Sequence, residues 1–241
     1  MLFVRDVQCE SVAVMRKDKM EAYMKTILVI GMGKMGQHLA RKMQQLGNEV
    51  MIVDKSEQII QELAPEFKDC FAGDCANEGV LRSLGINNFD YCFVAIGEES
   101  YASLEITSLL KELGGKCVVA NANSSRQAKF LKSVGADEVF FPEKEIADKL
   151  AVRYNSEAIF DYVELTSDYA IFEVAILKQW VGKTIMHLDI RKKYHVNIIA
   201  IKKGEKIDAL PGGNYAFEEG DHILVIGETN HVFDLAKASE K

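Results

Sequence analysis

The chain has little of what breaks, crosslinks or anchors a fold. Three prolines in 241 residues leave helices uninterrupted and exclude collagen-like or proline-rich architecture. The cysteines (Cys9, Cys70, Cys75, Cys92 and Cys117) are odd in number and form no C-x-x-C pair, which excludes a disulfide framework. Cys92 and Cys117 sit inside apolar runs, the usage expected of core thiols in a reducing compartment. No apolar run approaches the ~20 residues that a membrane helix needs. Basic residues are outnumbered, 29 against 36 acidic, for a formal net charge of -7, so no nucleic-acid partner is expected. Five histidines (His38, His187, His195, His222 and His231) show no metal-ligand spacing with cysteine. Residues 1–23 lack a secretory core: Leu2 to Val4 is cut short by Arg5 and Asp6. They are expected to form an N-terminal extension, with Met20 or Met24 as a candidate start.

What remains is 48% hydrophobic and ordered in a regular alternation. Apolar runs at 27–30, 50–53, 68–72, 91–95, 116–120 and 138–141 read as strands. Helical patterns follow the first five: one carries Leu39, Met43 and Leu46 on one face, and the others fall at 57–64, 77–84, 98–113 and 124–134. Runs that are apolar on both faces, joined by helices, predict a Rossmann-like, doubly wound parallel α/β sheet. After Pro142 the pattern changes. A polar helix over 143–154 precedes strand patterns at 163–165, 170–175, 196–202, 206–209 and 221–226. A short helix at 190–193 and a C-terminal helix from about His231 complete a small α+β domain. The expected organisation is an extension to residue 23, a nucleotide-binding domain over 24–142, a linker or crossover helix over 143–158, and the second domain over 159–241. No internal repeat is present.

Gly31-x-Gly33-x-x-Gly36 follows the first strand and opens the first helix, and Asp54 ends the second strand. This is the dinucleotide fingerprint in its full context. Gly31 permits the tight turn, Gly33 lets phosphate approach the backbone, and Gly36 lets helix and strand pack closely. Free N–H groups at the helix start face the phosphates, and Asp54 can accept from both ribose hydroxyls. The bland alternative is that the glycines serve tight packing alone. Asp74 follows the third strand and Ala95, Ile96, Gly97 and Glu98 follow the fourth, both at carboxyl ends beside the switch point. Asp74 either bonds an adenine amino group or caps the helix at Asn77. Nothing supplies the acid/base that hydride transfer needs. No Tyr-x-x-x-Lys occurs, and His38, the one histidine of the nucleotide domain, falls on the first helix. Binding without chemistry, and no enzyme, is the reading. The rivals are an NAD-dependent oxidoreductase with an unrecognised substrate site and an NADH redox sensor.

The ordered motifs Gly31–Gly36, Val53-Asp54, Gly73-Asp74, 94–97, 135–137 and 142–144 resemble the RCK (regulator of potassium conductance) proteins. So do 182–185, 188–191, 197–201, 220–221 and 225–227 in the second half. These are the TrkA/KtrA-like regulatory subunits of Ktr/Trk potassium-uptake systems, and the similarity covers the chain from Met24 on. It implies a cytoplasmic subunit, peripheral at the inner face of the membrane through its partner. That partner is a membrane potassium channel/transporter subunit of KtrB/TrkH type, under which homodimers assemble into an octameric ring. It implies ATP or ADP, alternatively NAD(H), held by Gly31, Met32, Gly33, Lys34, Met35, Gly36, Asp54, Lys55, Asp74, Cys75, Ala95, Ile96, Gly97 and Glu98.

In such proteins a basic residue at the Lys34 position reaches a neighbour's phosphate. Lysine here gives a point charge without arginine's fork. Asn121 stands where family members often carry lysine. Glu143 matches an acidic residue of a divalent-cation site (Mg2+ or Ca2+) at the dimer interface; the alternative is an ordinary helix N-terminal carboxylate. Ile185, Met186, Arg191, Asn197, Ile198 and Pro211 match positions that hold cyclic di-AMP in relatives. Arg191 can pair with phosphate and Asn197 can read an adenine edge. The alternative there is a structural interface, with Arg191 capping the short helix.

Overall fold

Ile27, Leu28, Val29 and Ile30 are all buried, and this run forms the central strand of the first sheet. A computed structural model describes residues 24–97 and 99–239. The head at 1–23 with Cys9, and Glu98, therefore lie outside the described residues. The chain divides into two compact units at Glu143/Lys144.

The first unit alternates β1 (Thr26–Ile30), α1 (Lys34–Gln45), β2 (Glu49–Asp54), α2 (Glu57–Leu63), β3 (Asp69–Ala72), α3 (Glu78–Leu84), β4 (Tyr91–Val94), α4 (Ser100–Glu112), β5 (Val118–Asn121), α5 (Ser125–Ser133) and β6 (Glu138–Phe140). Six parallel strands run in the order β3-β2-β1-β4-β5-β6. Chain order reverses between β1 and β4, so a crevice opens there at the strands' carboxyl ends. Alternate residues of β1 feed two cores. Ile27 and Val29 pack with Met32, Ala40 and Ile52, whereas Leu28 and Ile30 pack with Val53, Cys92, Val94 and Leu110. Burying both faces is why these strands read as continuous apolar runs. Side chains cap three of the helices: Ser56 accepts from the Ile59 N–H, Asn77 from Gly79 and Ser124 from Gln127.

The second unit comprises α6 (Pro142–Tyr154, its first two residues in the first unit), β7 (Ile159–Glu164), β8 (Tyr169–Ala175), α7 (Ile185–Leu188), α8 (Ile190–Tyr194), β9 (Val196–Lys203), β10 (Lys206–Asp208), β11 (His222–Glu228) and α9 (Thr229–Ser239). Its antiparallel sheet has the order β10-β9-β11-β8-β7. One face carries Phe172, Val174, Ile223 and Val225 into a core with Trp180, Phe217, Val232 and Leu235. Two elements differ from expectation. β7 starts at Ile159 rather than Val163, because the register slips between Ile159 and Asp161 and the extra residue, Phe160, breaks the alternation. The single short helix expected at 190–193 is preceded by another, α7, capped by Thr184. Asp189 joins the two at φ 47°, a left-handed conformation that aspartate tolerates better than most residues. Among the described residues no helix is long and apolar enough to cross a membrane.

Candidate nucleotide site

The turn between β1 and α1 is built by its glycines, each for a different reason. Gly31 lies at φ +94°, where a side chain would be strained. A Cβ on Gly36 would stand 1.9 Å from the Gly31 carbonyl oxygen, so only glycine lets the helix pass this close. A Cβ on Gly33 would meet no protein atom within 4 Å. Gly33 itself lines the cavity described below. The Gly31 N–H donates to the Val53 carbonyl at 2.8 Å and the Ala95 N–H to Ile30 at 2.8 Å, so the ladder carries the loops on past the strand ends.

Helix α1 starts at this turn without a side-chain cap: Gly33 is its N-cap and no acidic residue occupies its first turn. Its leading N–H groups and the positive end of its dipole therefore face the crevice unneutralised, an arrangement that suits an anion.

Asp54, the last residue of β2, faces the same turn. Its Oδ2 accepts the Met32 N–H at 2.6 Å and its Oδ1 the Ser56 N–H at 2.8 Å. The carboxylate is thus fixed in orientation by two backbone donors, and each oxygen keeps capacity for a further donor such as a hydroxyl. At the rim, Lys55 Nζ pairs with Glu99 Oε1 at 2.5 Å, which raises the lysine's pKa above its ordinary value through that hydrogen bond. Cys75 forms part of the wall. Burial first, then the charges of Asp74 and Asp54, push its thiol up to about 12, so it is a neutral apolar surface at physiological pH.

One cavity of about 180 Å³ brings together Gly31, Gly33, Asp54, Lys55, Asp74, Cys75, Ala95, Ile96 and Gly97. Of the other expected residues, Met32 is buried in the core behind the turn. Gly36 packs under Gly31. Lys34 opens α1 and Met35 follows it on an exposed turn. Glu98 lies outside the described residues. Asp74 does not cap α3, since Asn77 does so itself; Asp74 Oδ1 accepts the Ala76 N–H at 3.0 Å and shapes the loop. The walls also include Ile30, Gly73, Glu99, Ala102 and Ile106, which the motif reading missed. Ala102 and Ile106 come from α4, one helical turn apart, and a four-residue apolar spacing carries no sign of which side faces a ligand. Among the described lining residues there is no histidine or tyrosine.

In the second unit, Ile185, Met186, Arg191, Asn197, Ile198 and Pro211 line one cavity of about 330 Å³, together with Asp189, Ile190 and Val196. The missed helix α7 supplies its first two walls. The Met186 N–H donates to Gly213 at 2.9 Å, pinning α7 against the loop that carries Pro211, while the Met186 side chain stays 70% exposed. Arg191 is the second residue of the five-residue α8 and stands in its last turn. Glu143 is exposed on the first turn of α6. Among the described residues no group of three or more His, Cys, Asp or Glu is placed to hold a metal ion.

Residues 27–142 match the TrkA-N domain and residues 169–238 the TrkA-C domain. The chain belongs to the TrkA-N/TrkA-C family of potassium-uptake proteins. Within that family it is 35% identical over 213 residues to the Ktr system potassium uptake protein C of Bacillus subtilis (strain 168), covering 88% of this chain and 96% of that one. It is 28% identical over 214 residues to the Ktr system potassium uptake protein A of Vibrio alginolyticus, covering 89% and 97%. Among solved structures, the GsuK RCK domain superposes with a TM-score of 0.65 at 16% identity, over 90% of this chain and 48% of that one. This likeness extends the shared RCK fold across both units.

Proposed function

We propose that this chain is a nucleotide-sensing regulatory subunit that gates a membrane potassium channel or transporter of KtrB/TrkH type. The observation that carries the proposal is the uncapped glycine turn beside a backbone-fixed Asp54, in a chain whose relatives are Ktr potassium uptake proteins. The ligand is ATP or ADP. Asp54 accepts the ribose hydroxyls, the apolar walls around Ile96 and Cys75 take the base side, and the first-turn amides of α1 take the phosphates. A cavity of about 180 Å³ is smaller than a typical ligand pocket of roughly 300–1,000 Å³. It would enclose only part of a nucleotide and leave the terminal phosphate toward a neighbouring subunit.

That asymmetry supplies the switch. ATP and ADP share every contact but those of the γ-phosphate, so only a group that meets the γ-phosphate can shift an equilibrium. Lys34, from the neighbouring copy in a ring of dimers, is that group. The ring lies in the cytoplasm against its membrane partner. Full reversal of a two-state equilibrium takes roughly 5.5 kcal/mol of differential affinity, a demand the subunits of one ring share. Cyclic di-AMP is the proposed ligand of the second-unit cavity, with Arg191 on phosphate and Asn197 on the adenine edge. Glu143 is retained as one ligand of a cation shared with a second chain.

A second reading has its own support. The GsuK channel has been solved bound to NAD, and the same turn suits any adenine dinucleotide. A thermal-shift panel of ATP, ADP, NADH and cyclic di-AMP separates them. A ligand at 100 times its dissociation constant adds about 2.7 kcal/mol, well above detection. ATP and ADP are expected to raise the melt; a shift with NADH alone would replace the ATP reading by redox sensing.

A further inference from the structure

The outer face of the second-unit sheet carries a second kind of pocket, which neither proposed nucleotide site uses. Its cavity of about 580 Å³ is lined by Lys149 and Arg153 of α6, Phe160 and Asp161 of β7, Glu173 of β8, Lys202 of β9, His222 of β11, and two turn glycines, Gly204 and Gly220.

The sheet register explains how these residues meet. Glu173 pairs with Asp161, and His222 pairs with Lys202, so the polar side chains form a row across neighbouring strands on the face away from the core. The bulge at Phe160 turns one more side chain to this face, where its ring stacks on His222 with centroids 4.0 Å apart.

The charges in this pocket do not balance. Glu173, only 13% exposed, accepts from Lys202 Nζ at 2.8 Å and bonds His222 Nδ1 at 2.8 Å. Burial pushes its carboxyl up, but the His222 and Lys202 bonds outweigh burial, and it stays ionised below the ordinary range. Asp161 is engaged by Lys149 at 2.9 Å. Both carboxylates are therefore committed, and three permanent cations face two anions. The surplus lies on the α6 side, where Arg153 brings a five-donor guanidinium to the cavity.

We propose that this cavity is an anion site for a small phosphorylated molecule, with the phosphate held by Arg153, Lys149 and Lys202. Arginine's fork and two ammonium groups from two elements suit the several oxygens of a phosphoryl group. The volume exceeds what phosphate alone fills and leaves room for the group that bears it. The proposal is independent of the nucleotide reading, because no residue of this cavity belongs to the other two.

Pyrophosphate is the probe, titrated calorimetrically into the full chain and into four variants. Arg153→Gln and Lys149→Gln change exposed side chains and should each weaken binding at least about ten-fold, the loss of one charge-assisted contact. Lys129→Gln and Lys178→Gln, exposed lysines that line none of the three cavities, should leave this affinity unchanged. Hydrogen exchange on the wild-type chain should show pyrophosphate protecting residues 202–204 and 220–222. The proposal is overturned if the wild-type chain shows no saturable binding, or if Arg153→Gln retains wild-type affinity. Protection confined to the glycine turn or to the cavity around Arg191 would overturn it equally.

Discussion

Gly33 and Gly36 sit in one motif but answer to different constraints, and substitution should tell them apart. Alanine at Gly36 drives a methyl to 1.9 Å from the Gly31 carbonyl oxygen. The helix-propensity gain of about 1 kcal/mol cannot offset overpacking of about 3 kcal/mol or more, so Gly36→Ala should lower the denaturation midpoint. Alanine at Gly33 meets no protein atom within 4 Å, and its cost to stability should stay under about 1 kcal/mol. On the proposed function it should nevertheless weaken nucleotide binding at least about ten-fold, because Gly33 lines the cavity where phosphate is proposed to approach the backbone. Asp54→Ala combines both effects. It leaves the Met32 and Ser56 amides without their acceptor, at about 1–3 kcal/mol, and removes the ribose acceptor. These roles were legible in the sequence, because a glycine spacing between a strand and a helix is a local signal. Glu99 was not: which of two adjacent glutamates reaches Lys55 depends on the path of the loop before α4.

Elements differ in how far their sequence announces them. The inner strands β1 and β5 bury both faces and appear as apolar runs, and the helices between strands mark even the half-buried edge strands β3 and β6, so the first unit could be read strand by strand. In the second unit, β7 carries a bulge at Phe160 that breaks the alternation of its side chains. α7 spans only four residues, barely more than one period of a helical pattern. The charged row across β7, β8, β9 and β11 is visible only once register is known. Two carboxylates that hold elements together should make the fold acid-sensitive. Asp137 accepts the Val118 N–H and Lys111 Nζ; burial raises its pKa, but these bonds lower it further. Glu173 is lowered in the same way by His222 and Lys202. For a depressed carboxyl, the stabilisation is fully present above the unfolded value of about 4 and is lost as pH falls through the folded value. Melting temperature should therefore fall below about pH 4, with a shallower fall in Glu173→Gln measured over the same range. Tyr215 donates to Asp221 Oδ2 at 2.9 Å, and Asp221 is buried. Tyr215→Phe should cost about 1–3 kcal/mol in chemical denaturation.

Across the whole molecule, the proposed function assigns binding and transport to different chains. No described helix is fit to cross a membrane, and the relatives are potassium uptake proteins, so the proposed pore belongs to a partner. The net charge of -7 does not oppose phosphate binding, because the glycine turn would hold its ligand through backbone amides rather than a basic surface. In the proposed assembly, Lys34 and Glu143 would act on the nucleotide only when a second copy presents them. Lys34→Gln should accordingly narrow the difference between ATP and ADP affinity while leaving ADP binding nearly unchanged. The central claim is that the turn is a nucleotide site whose glycines are needed for binding and not only for packing. Calorimetric titration of ATP into the wild-type chain and into Gly33→Ala, at matched melting temperatures, tests it most directly. Saturable binding by wild type, with a loss of at least about ten-fold in Gly33→Ala, is the expected result; equal ATP affinity in the two chains, or none in wild type, would contradict it.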